Sequence, residues 1–138
     1  MPRFVAVILE SRITVYVGRV LLTLMFWSSG VAKVVDFKTG VGEMAHFNLN
    51  PPEAFNLATL AVQLLGSALI IWGPYAWLGA GALAVFTALT IPLVHHFWDM
   101  PQPQATHTMY TAVEHLSMIG GLILVSILRH RQVTAAKA

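Results

Sequence analysis

The chain has 138 residues, 57% of them hydrophobic and only 10% charged, with eight Lys and Arg against six Asp and Glu and a mean hydropathy of +0.69. That is far from the roughly 25% charged residues of a soluble domain, and the basic residues flank apolar runs without forming a patch interleaved with aromatics, so the chain reads as an integral membrane protein with no nucleic-acid partner. Having no cysteine excludes disulfides, thiolate metal sites and thiol exchange by this chain itself.

Four apolar runs, residues 13–35, 55–72, 75–97 and 109–128, approach or exceed the ~20 residues needed to cross a bilayer core. They predict an all-α fold, a single domain made of a four-transmembrane-helix bundle over residues 1–138. The N-terminal segment offers only six apolar residues before Glu10 and Arg12 and lacks a small-residue cleavage site, so it is expected to be retained. Arg3, Arg12 and Arg19 precede or open the first run, while Arg129, Arg131 and Lys137 follow the last. The positive-inside rule then puts both termini in the cytoplasm.

In the first run Arg19 and Lys33 lie fourteen residues apart, or ~21 Å of straight helix. Arg19 reads as an anchor snorkelling to the headgroups. Lys33 follows the small Ser28, Ser29 and Gly30, which permit close helix approach, and Glu114 is its expected inward partner. Next, Phe37, Val41, Met44 and Phe47 recur at helical spacing and predict a short amphipathic helix on the outer interface. Asn50, placed to cap, and Pro51 and Pro52 start the second run, which carries a polar and small stripe of Asn56, Thr59, Gln63, Gly66, Ser67 and Ile70. Gln63 sits ~12 Å below the outer boundary, where lipid offers its amide no partner.

A turn at Trp72, Gly73, Pro74 and Tyr75 places aromatic rings at headgroup level. The third run opens with Gly79, Ala80, Gly81, Ala82 and Ala84, a small-residue face through which a second copy could pack, and Pro92 predicts a kink just before His95 and His96. Two adjacent helical histidines point ~100° apart, so at most one of them faces inward. The fourth run holds Glu114 and His115, and counting at period 3.6 puts His107, Thr111, Glu114, Met118 and Gly121 on one face. An ionisable group there costs roughly 2.5–3.5 kcal/mol to insert, which marks it as a functional-site candidate.

With alternating helix directions, Lys33, Gln63, His95 or His96, Glu114 and His115 all fall in the outer half of the bundle. A pocket formed there would suit a lipophilic small molecule or a docking partner. Glu114 with His115 could instead act as an acid–base pair on a small hydrophobic substrate, which would make the chain an enzyme. The same residues also suit a polar core that only specifies helix packing. His115 with a histidine of the third run could ligate a haem, but nothing resembles a c-type attachment sequence, so a haem is disfavoured. No metal site is expected.

The chain resembles the DoxX family of small four-helix bacterial inner-membrane proteins. The resemblance runs over nearly the whole chain and rests on Gly18-Arg19, on Ser29-Gly30 with Lys33, Asp36 and Phe37, on the proline-led second helix with Gln63, on His95-His96-Phe97-Trp98, and on Gly120-Gly121. The chain has Gln63 where the family is expected to carry glutamate, and Glu114-His115 where it usually has Lys-Asn. The resemblance implies a multi-pass subunit of the bacterial inner membrane associated with a redox system, with a quinone or a redox protein as partner.

Overall fold

In the computed structural model, which describes residues 1–136, the first apolar run is two helices meeting at 55°. Lys137, counted above among the terminal positive charges, lies outside the described residues. The helices in chain order are α1 (Arg3–Glu10), α2 (Arg12–Leu22), α3 (Leu24–Val35), α4 (Phe37–His46), α5 (Pro52–Trp72), α6 (Ala76–Leu93) and α7 (Gln104–Ala135), with a 3₁₀ turn at Phe97–Asp99, and no strand occurs among the described residues. Three spans, formed by α5, by α6 with its 3₁₀ turn, and by α7, are long and apolar enough to cross a membrane; the bent α2–α3 pair makes a fourth if it is counted as one span.

The bend that replaces the expected straight helix has a local cause. The fully buried Thr23 donates its hydroxyl to the Arg19 carbonyl at 2.8 Å, and the Trp27 indole donates to the Val20 carbonyl at 3.4 Å. Side-chain donors thus occupy carbonyls at the joint, and threonine back-bonding of this kind bends a helix without proline.

The amphipathic helix expected after the first run is α4, but it docks on the bundle. Met44 is buried, Gly40 lies against the Asn56 side-chain amide, and Asn56 donates to the Phe37 carbonyl at 3.3 Å. Asp36 caps α4: it accepts from the Thr39 N–H at 3.0 Å and the Thr39 hydroxyl at 2.8 Å, and these bonds hold its carboxyl below the ordinary aspartate value. Asn50 does not cap α5. Pro51 occupies the cap position without a side-chain bond, and the Asn50 amide turns back to the Asn48 carbonyl.

The expected stripe on α5 is the buried one, with Asn56, Gln63, Gly66, Ser67 and Ile70 all inside. Gly66 and Gly79 let α5 and α6 touch backbone to backbone, and Gly79 and Ala80 are buried in that contact, whereas a side chain at Gly81 would meet open space. A core of Phe26, Ile70, Ala80, Leu83 and Leu122 joins α3, α5, α6 and α7. Helix α6 ends at Leu93, earlier than expected: with Pro92 in the last turn, the Val94 and His95 N–H groups close onto Thr90 and Ile91, and both histidines fall beyond the helix.

Helix α7 buries Ala105, Ala112, His115 and Leu122. The inward face is therefore centred one residue away from the predicted one, and Glu114 is exposed. Below the bend α2 packs on α5 and α7; above it α3 packs on α5 and α4 and makes no close approach to α7. The bundle is closed at the Arg19 end and parted at the Lys33 end.

Candidate functional site

A cavity of about 580 Å³ fills the parted end, within the range of small-molecule sites. Its walls are mostly apolar, with Phe26, Met44, Val62 and Phe86 among them, and exposed Met25, Phe55, Leu89 and Leu93 on its lining leave it open toward the apolar exterior. Four of the six residues selected from the sequence converge on it: Lys33 from α3, Gln63 from α5, His95 just beyond α6 and His115 from α7.

His96 and Glu114 do not line it. His96 lies 3.8 Å from Asp99 across the 3₁₀ turn, on the outer side. The helical argument that only one histidine faces inward loses its premise, since neither is helical, yet His95 alone reaches the cavity. Glu114 is also not the partner of Lys33. Consecutive helical residues point ~100° apart, so with His115 inward its neighbour turns out.

The partner of Lys33 is Glu43 of α4, with Nζ 2.7 Å from Oε2, and Nζ also donates to the Ser29 hydroxyl at 3.4 Å. Glu43 was missed by the sequence reading, although the α4 spacing held the clue: it adjoins Met44 on the edge of the buried face. The Lys33 side chain is 13% exposed and that of Glu43 51%. Solvent screening at the glutamate keeps the pair within about 1 kcal/mol, but losing either partner has unequal effects. Glu43→Gln strands a mostly buried ammonium and is expected to cost about 1–2 kcal/mol, more than Lys33→Met, which frees a half-exposed carboxylate. Thermal unfolding of the two variants in detergent gives the order, and the reverse order contradicts the assignment.

Gln63 is 7% exposed, and its Oε1 has no hydrogen-bond partner. His115 places Nδ1 2.8 Å from the Thr111 carbonyl, so Nδ1–H donates there. The His95 and His115 rings meet edge to face with centroids 4.7 Å apart, which leaves no space for a porphyrin plane between them. Among the described residues no group of three or more His, Asp or Glu is placed to hold a metal.

A family model described as DoxX matches residues 14–96, more than half of the chain. The chain belongs to the DoxX family. The DoxX match takes in α2 to α6 and carries Lys33, Glu43, Gln63 and His95, while α7, which supplies Thr111 and His115, lies beyond it. Membership together with the apolar helices makes this a multi-pass membrane protein in contact with the lipid bilayer. The chain matches no curated protein and no solved structure at a significant level.

Proposed function

We propose that this DoxX protein is a subunit of the bacterial inner membrane, with both termini cytoplasmic, that holds a lipophilic small molecule in the cavity at its outer end. The observation that carries the reading is the orphaned Gln63 Oε1. A buried acceptor without a partner costs about 1–3 kcal/mol, and a guest with an O–H or N–H on its polar head removes that cost. Apolar walls take the body of such a guest, and His115 lines the same cavity. A quinol has this chemistry, and the redox association implied by the family resemblance makes it the favoured guest, with electron transfer left to a partner protein.

The rival reading, acid–base catalysis by Glu114 with His115, draws no support from an exposed Glu114. Any proton exchange at the cavity would fall to the His95–His115 pair.

The test is native mass spectrometry of protein extracted in mild detergent. Wild type is expected to carry a lipophilic adduct, and Thr59→Phe, which fills the cavity from α5, to lose it while keeping its far-ultraviolet circular dichroism. An adduct retained in full by Thr59→Phe removes the cavity from the account.

A further inference from the structure

Opposite the cavity, the closed end of the bundle holds two arginines that pair with no carboxylate among the described residues. Arg19 leaves α2 and reaches the turn between α5 and α6, where its Nη1 lies so close over Gly73 that a side chain there would collide with it. Gly73 has φ +105°, a conformation glycine adopts freely, and its missing side chain makes the room. Arg129 comes from α7, the helix that packs on α2 below the bend. Leu22 of α2 lies against Gly121 of α7, and with the two helices antiparallel Arg19 and Arg129 fall on the same side of that contact.

Both Nε–H donors are buried and have no partner among the described residues. Among the described residues the ion pairs are Lys33–Glu43 and His96–Asp99, so no carboxylate serves either arginine. Two like charges from separate helices, each with an unused buried donor, form a site for an oxyanion. The guanidinium fork suits a phosphate ester, whether it belongs to a lipid or to a solute.

Depth decides between these sources. Trp72, Tyr75 and Trp77 stand exposed around the same turn, an aromatic belt that sets it at headgroup level, where lipid phosphates lie. We propose that Arg19 and Arg129 bind the phosphate of an anionic phospholipid. A zwitterionic headgroup brings its own cation to the pair and is the poorer ligand.

Delipidated protein is titrated with phosphatidylglycerol, with phosphatidylcholine and with inorganic phosphate, and bound lipid and the unfolding midpoint are followed. Phosphatidylglycerol is expected to bind and raise the midpoint, with retention falling about fivefold in Arg129→Gln and unchanged in Arg131→Gln, which removes the same charge from an exposed position two residues on. Arg129→Lys, which keeps the charge and loses the fork, is expected to fall between, and it decides the matter if Arg129→Gln does not fold. Equal losses in Arg129→Gln and Arg131→Gln, equal retention of the two lipids, or a midpoint raised by inorganic phosphate and not by lipid each overturn the assignment.

Discussion

Gly79→Ala is expected to destabilise the bundle by about 2–3 kcal/mol, the cost of overpacking against groups that cannot yield. The added methyl would run into the Gly66 carbonyl oxygen and come within 2.9 Å of the Leu69 Cβ, so either α6 moves off α5 or both backbones shift. Gly66→Ala is the informative contrast. There the nearest atoms, at 2.8 and 3.0 Å, are Cγ and Cδ2 of the buried Leu83 side chain and not backbone, and a smaller loss of about 1–2 kcal/mol is expected. At Gly81 nothing lies within 4 Å, so alanine gains up to about 1 kcal/mol from helix propensity alone. Thermal unfolding of the three variants in one detergent should rank them Gly81→Ala, Gly66→Ala, Gly79→Ala from most to least stable. A Gly79→Ala protein as stable as wild type means that the helices do not cross there.

Replacing Gln63 by leucine should move stability and binding in opposite directions. In the delipidated protein the substitution removes an unsatisfied buried acceptor, and the unfolding free energy should rise by about 1 kcal/mol. In the loaded protein it removes the acceptor that receives the guest's donor, and retention of the lipophile should fall about tenfold, the equivalent of one good hydrogen bond. A residue that merely packs would lower both, and one that contributes nothing would move neither. Unfolding midpoints before and after loading, together with the adduct fraction by native mass spectrometry, separate these cases.

The architecture was legible because membrane helices write themselves in composition. Runs of apolar residues found three spanning helices and the bent pair that makes a fourth if counted as one, the α5 stripe found its buried face in all but the half-buried Thr59, and the spacing of Phe37, Val41 and Met44 found α4. What stayed hidden was rotation and continuity. Glu114 drew attention as the costly group, but the buried positions Ala112, His115 and Leu122 set the face of α7, and a one-residue error in phase exchanges a lining residue for an exposed one. The early end of α6 followed from Pro92, which had been read as a kink. Glu43 was invisible as a partner for Lys33 because their closeness depends on how α4 folds back, a tertiary fact. The break in the first helix had no proline to announce it, only a threonine whose hydroxyl turned to its own backbone.

That threonine also bears on the shape of the cavity. The residues lining the cavity decide which chemistry is welcome, but the gape between α3 and α7 is set by the 55° elbow at Thr23, near the foot of the opening. The width of the cavity and the chemistry of its walls are thus set by separate parts of the chain. A change at that one hydroxyl would alter the angle between α2 and α3, and with it the room in the cavity, while every wall residue keeps its identity.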